Sequence, residues 1–140
     1  VSTQARRRFE AKQAEFEAIR NFVESACAGI EQDECQRAVL LVEELFANSV
    51  LHGYGGDCDE PVWLTVNTDA SGCRLIYEDC APAYNPFLAE EPNLDDAIPE
   101  ERPIGGLGIV FLIELSSERS YERRGDRNVI ELQVRRAVQL

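Results

Sequence analysis

In the most apolar stretch of this chain, three polar side chains return at every fourth position: Glu44, Asn48 and His52. That spacing stacks them along one face of a helix, while Val39, Leu40, Leu41, Val42, Leu45, Phe46, Val50 and Leu51 fill the remaining faces. A helix so apolar has to be packed on most of its surface, so the rest of the chain must wrap a core around it and still find a use for one polar stripe. Taken alone, the stripe has a plain reading as a solvated edge or an internal row of hydrogen bonds. A second feature downstream sharpens it. Pro103-Ile104-Gly105-Gly106-Leu107-Gly108 runs from a glycine-rich turn straight into the apolar Ile109-Val110-Phe111-Leu112. Such a turn presents backbone N–H groups and a helix N-terminus to phosphate.

The 140 residues suit one domain, taken here as 1–140, with a single core. No apolar run is long enough to span a bilayer, and no secretory leader is visible. The first residue is Val1 rather than methionine, so a larger parent protein, or a leader removed from it, is left open. A formal charge of −12 argues against nucleic acid and anionic membranes as partners, since both need a basic footprint. Proteins and small molecules remain.

Cys27, Cys35, Cys58, Cys73 and Cys80 contain no Cys-x-x-Cys pair, and His52 is the sole histidine, which disfavours a structural zinc site. Free thiols in a reducing cytoplasm are the simple reading. Lys12 is the only lysine and is remote from any glycine-rich loop. That excludes a P-loop NTPase and the eukaryotic kinase arrangement, both of which need a phosphate-binding lysine. Phosphate here must be met by backbone, arginine or metal.

Residues 6–11 read as a charged edge strand. The spacing of Phe16, Ile19, Val23, Ala26 and Ile30 predicts a helix over 13–29 with Gly29 as its stop. Asp33 with Gln36 resembles a capping box that opens the second helix, which runs to about Leu51. Residues 62–68 and 74–78 alternate as paired strands about a turn at Ser71-Gly72. An acidic, proline-bearing stretch follows, too long for a simple connection and read as a lid or binding loop at about 88–106. A third helix over 107–115 and a hairpin over 119–122 and 128–135, turning at Gly125-Asp126, close the chain. Hairpins and clustered helices imply an α+β two-layer sandwich, its sheet mixed but mostly antiparallel, with the helices on one face.

These residues resemble the GHKL ATPase superfamily, which includes the gyrase, histidine kinase and MutL types. More narrowly, the chain is similar to the RsbW-type anti-sigma factor serine/threonine kinases of bacteria. Glu44-x-x-x-Asn48 stands where the family has its N box. Glu78-Asp79-Cys80-Ala81-Pro82-Ala83-Tyr84-Asn85-Pro86 matches the first glycine box, Gly105-Gly106-Leu107-Gly108 the second, and residues 123–132 the terminal hairpin.

The resemblance implies a histidine-kinase-like ATPase fold that binds ATP or ADP with Mg²⁺. Asn48 would give Mg²⁺ an amide oxygen, and Glu44 would act as the catalytic base. Asp79 would accept the exocyclic N–H of adenine, and Ala81 and Ala83 would line the nucleotide. Gly105, Gly106, Leu107 and Gly108 would bring backbone N–H groups to the phosphates. Arg102 either reaches a phosphate or decorates a solvated loop. Asn128 stands near the place of a hydroxyl residue that touches adenine through water. His52 is read as a packing and capping residue rather than a catalyst. One departure stands out: Ala81 replaces a family glycine, and alanine disfavours positive φ and close approach to a ligand. Either nucleotide binding is weakened or the loop is built for alanine.

The implied function is an ATP- and Mg²⁺-dependent serine/threonine kinase that phosphorylates an anti-anti-sigma antagonist and sequesters a sigma factor in the cytoplasm. A homodimer is left open. The alternative is a non-catalytic nucleotide- or protein-binding switch, or a domain cut from a larger regulator.

Overall fold

The computed structural model describes residues 2–88 and 108–136, with backbone alone over 108–111. The expected lid at 88–106 lies outside these residues except for Leu88, which ends a 3-10 turn at Pro86–Leu88. Five strands form one sheet: β1 (Thr3–Glu10), β2 (Pro61–Asp69), β3 (Gly72–Asp79), β4 (Ser116–Arg124) and β5 (Arg127–Val134). Their order across the sheet is β1-β2-β3-β5-β4, and every pairing is antiparallel. Helices α1 (Phe16–Ala26), α2 (Gln32–Asn48) and α3 (Gly108–Leu115) complete the two-layer α+β sandwich that the sequence implies.

Alternation within the strands decides which face is buried. Val62, Leu64 and Val66 of β2, Leu75 and Tyr77 of β3, and Ile130, Leu132 and Val134 of β5 all turn into the core. Against them α2 sets Ala38, Leu41, Val42, Leu45 and Phe46. The ring of Phe46 meets Phe16 of α1 edge-on, with centroids 4.9 Å apart, and Phe9 of β1 meets Phe22 in the same manner at 5.7 Å. One helical face cannot hold all eight large apolar residues of this stretch, so Leu40 and Leu51 are left exposed.

Three local expectations are corrected. The first helix ends at Ala26 with Cys27 as its cap, three residues short of Gly29; a 3-10 turn at Gln13–Glu15 leads into it. The second helix begins one residue before Asp33, with Glu31 as its extended N-cap and no side-chain cap bond. Asp33 already lies inside the first turn, where it favours the helix dipole and pairs with Arg37 at 3.1 Å. No capping box forms because Asp33 is helical rather than extended. Finally, α2 does not continue as an α-helix to Leu51. It passes after Asn48 into a π turn, Ser49–Gly53, closed by the Tyr54 N–H donating to Ser49 O at 2.8 Å. Five-residue closure rotates later side chains away from four-residue spacing, so the Glu44–Asn48 row does not run straight on to His52.

All five cysteines are free thiols, as the sequence suggests. Cys27 and Cys73 are buried with their sulfurs 3.8 Å apart. No helix among the described residues is long and apolar enough to cross a membrane.

Candidate functional site

β3 is flanked by β2 and β5 and ends at Asp79, which sits opposite Asn128 in the register. A carboxylate at the end of a central strand is costly unless it is hydrogen-bonded, and Asp79, only 7% exposed, is amply served. Its Oδ1 accepts from Asn128 Nδ2 at 2.8 Å and from the Ala81 N–H at 3.2 Å. Its Oδ2 accepts from the Ser49 hydroxyl at 2.6 Å. Since Ser49 spends its proton on Asp79, it accepts from Tyr77 Oη, 2.7 Å away. The phenol of Tyr77 is fully buried, and burial pushes its pKa well above the usual value, so it stays a donor.

This chain of bonds joins two distant stretches of sequence. Ser49 is the first residue of the π turn and immediately follows Asn48, so its bond to Asp79 anchors the end of α2 against the end of β3. Asn48 is thereby held beside the carboxylate's neighbourhood, and Glu44 lies one helical turn earlier. Both are half-buried. Among the described residues neither side chain makes a hydrogen bond or ion pair. The nearby cation Arg20 is taken by Glu43, at 2.8 Å. Burial first, and the adjacent Glu43 charge second, raise the pKa of Glu44 above that of an ordinary glutamate. A carboxylate with a raised pKa and no ion pair among the described residues can accept a proton.

That raised pKa has a consequence for stability. Below about pH 4 an unperturbed glutamate is mostly protonated, so Glu44 costs nothing there. As pH rises, the unfolded chain loses its proton first, and the cost develops through the raised native value. Glu44→Gln is therefore expected to raise the melting temperature at pH 7 and to leave it unchanged near pH 3. Thermal unfolding followed by circular dichroism at both pH values checks this.

The loop after Asp79 is pinned by backbone carbonyls and amides. Arg123 donates to Ala81 O at 2.8 Å, and Tyr54 Oη accepts from the Cys80 N–H at 2.7 Å while donating to Pro61 O at 2.8 Å. Ala83 and Tyr84 remain exposed.

The structure shows how Ala81 is accommodated. No non-glycine residue among those described has positive φ, so position 81 does not require glycine. Ala81 is buried, and its methyl fills the space beside Gly53: a Cβ at Gly53 would lie 2.9 Å from it. Gly53, in the facing π turn, leaves the room that the Ala81 methyl occupies. Gly53→Ala is expected to cost roughly 1–3 kcal/mol through overpacking. Adding Ala81→Gly should recover most of that loss, because the clash is between these two methyls. Urea unfolding of the single and double variants checks it.

The site residues read from sequence thus divide three ways. Glu44, Asn48, Asp79, Ala81 and Asn128 lie on elements that meet at one end of the sheet. Ala83 is exposed in the loop after β3, and Gly108 is the first residue of α3. Arg102, Gly105, Gly106 and Leu107 lie outside the described residues. Sequence reasoning missed Ser49, Tyr77, Tyr121 and Arg123. Ser49 carried a signal: it lies three residues from Phe46 and next to Val50 on the buried side of an apolar helix, where a hydroxyl needs a partner.

The chain belongs to the histidine kinase-like ATPase domain family, whose model matches residues 9–134. ATP is the ligand that this membership implies. Among curated proteins none matches the chain.

The donor set fits a magnesium nucleotide better than a protein-caged metal. Among the described residues no three His, Cys, Asp or Glu side chains converge as a metal cage, whereas Mg²⁺ commonly takes one or two protein oxygens and completes its shell with phosphate and water. Asn48 can supply one such oxygen.

Proposed function

We propose that this domain is a protein serine/threonine kinase that uses ATP with Mg²⁺ and acts as an anti-sigma regulatory factor. It phosphorylates an anti-anti-sigma antagonist and, in the alternative complex, sequesters a sigma factor in the cytoplasm. The observation that supports the reading is the bond from Ser49 to Asp79, which ties the end of β3 to the chain just after the Glu44–Asn48 row. Bound Mg²⁺ would offset charge on the phosphates, with Asn48 as its protein ligand.

Glu44 is one turn before Asn48, where it can take the proton of an attacking serine or threonine hydroxyl. The hydroxyl oxygen bonds to the γ-phosphorus as the bond to the β–γ bridging oxygen breaks, and ADP leaves. No lysine is required, in keeping with a chain whose only lysine, Lys12, lies on the far side of the sequence from the glycine boxes.

The other reading is a switch that binds its partners without chemistry. Its sequence support was Ala81, whose methyl packs in the space beside Gly53. Incubation of the domain with labelled ATP, Mg²⁺ and a candidate antagonist distinguishes the two. Label on an antagonist serine or threonine supports the kinase. Stable capture of the antagonist with no label supports the switch.

A further inference from the structure

Three of the five thiols gather near the start of β3, at the opposite end of that strand from Asp79. Cys27 caps the C-terminus of α1, and Cys73 follows Gly72, the first residue of β3. Both are fully buried, with their sulfurs 3.8 Å apart. Cys35, in the first turn of α2, is half-buried and neighbours Cys27. Burial first, and Cys27 second, push its thiol up to about 11. Cys35 also lines a surface groove with Val39 and Leu40, so it is the member of the group that reaches solvent. No step of phosphoryl transfer involves these sulfurs. Small apolar filler is the plain account of a buried thiol. It does not explain why two thiols 46 residues apart in sequence touch each other and adjoin a third that opens to the surface. A disulfide needs its sulfurs at ~2.0 Å, so the buried pair has to close by about 1.8 Å. Cys27 sits at a helix cap rather than inside the helix, which leaves its backbone freer to follow.

We propose that Cys27 and Cys73 form a modification site, a buried dithiol that hydrogen peroxide converts to a disulfide by way of Cys35. The Cys35 thiolate attacks one peroxide oxygen, the O–O bond breaks, and Cys35 becomes a sulfenic acid. The hydroxide that leaves takes up the proton lost by the thiol and departs as water. The Cys27 sulfur then attacks the Cys35 sulfur, the S–O bond breaks, and a second water leaves with the Cys27 proton. Cys73 attacks Cys27 in turn, which forms the Cys27–Cys73 bond and returns Cys35 as a thiol. Two thiols have lost two electrons and two protons, and one peroxide has become two waters. Exchange runs toward the final pair because it closes a far longer loop than Cys27–Cys35, and a longer loop removes more freedom from the unfolded chain. A neutral oxidant suits the entrance: Glu24 lines the same groove and the chain carries −12, which repels anionic disulfides such as oxidised glutathione. The raised Cys35 pKa keeps thiolate scarce near neutral pH, so the reaction is slow.

The test treats the whole chain with excess hydrogen peroxide, blocks the remaining thiols, digests without reduction and maps the linked peptides by mass spectrometry. A Cys27–Cys73 link is expected, with the melting temperature raised by about 5 °C or more and restored by dithiothreitol. Nucleotide affinity should not change, because the bond forms at the end of β3 remote from Asp79; the outcome is therefore independent of the kinase reading. Cys35→Ser should slow formation of the link by ~10-fold or more at equal peroxide, since the entry thiol is gone. Cys73→Ala should halt the reaction at a Cys27–Cys35 disulfide. Unslowed linkage in a folded Cys35→Ser protein would overturn the route through Cys35. Links through Cys58 or Cys80 alone, or sulfinic acids with no disulfide, would overturn the site itself even if neither variant folds.

Discussion

Replacing Glu44 by alanine is expected to slow phosphoryl transfer by roughly 10²–10⁴-fold while leaving nucleotide affinity nearly intact. The asymmetry follows from when the side chain acts. A general base matters as the hydroxyl proton leaves, in the transition state, and contributes little to holding ATP in the ground state. Arg20 pairs with Glu43 rather than with Glu44, so Glu44 keeps a basic carboxylate, its pKa raised by burial and by its acidic neighbour. Activity should therefore fall on the acidic side of the profile, with an apparent pKa above the ordinary glutamate range. Single-turnover transfer measured beside equilibrium binding separates the two effects. Loss of both together would make the stripe a structural feature.

Asn48→Ala should fail in the opposite way. Asn48 is assigned to a ligand present before any chemistry, so its loss should weaken ADP binding by ~10-fold or more in Mg²⁺, in line with the usual worth of a metal-shell residue. The same variant in EDTA should bind ADP about as well as the wild type in EDTA. Titrations under both conditions isolate the metal-dependent part. A fold that collapses in Asn48→Ala is not expected, because the Asn48 side chain makes no hydrogen bond among the described residues.

Legibility varied along the chain for physical reasons. The β2–β3 hairpin and the β4–β5 hairpin could be read directly, since a period of two and a glycine turn are local signals; Gly72 and Gly125 do take positive φ. The α+β class followed from the order of elements. Within the candidate site, the placing of Glu44 and Asn48 one turn apart on a single helix was legible, because it depends on spacing within one element. It was illegible where partners meet across the fold. Ser49, Tyr77 and Asn128 come from the end of α2, β3 and β5, and nothing in their local sequence announces that they join one hydrogen-bond chain at Asp79. The π turn was also hidden, because four-residue spacing in sequence cannot reveal a local change to five-residue closure. Asp33 was misread as a cap because a Ser/Thr/Asp/Asn-type residue ahead of an apolar run is an equally good member of a first turn. Ala81 departs from a glycine motif, and the room for its methyl lies beside Gly53, distant in sequence and close in space.

The most direct measurement is the fate of the γ-phosphate of labelled ATP, given to the domain with Mg²⁺ and a candidate antagonist protein. The kinase account predicts label on serine or threonine of the antagonist, with transfer reduced by roughly 10²–10⁴-fold in Glu44→Ala at unchanged nucleotide affinity. Release of the label only as inorganic phosphate, or no release at all while nucleotide and antagonist are both bound, would contradict it.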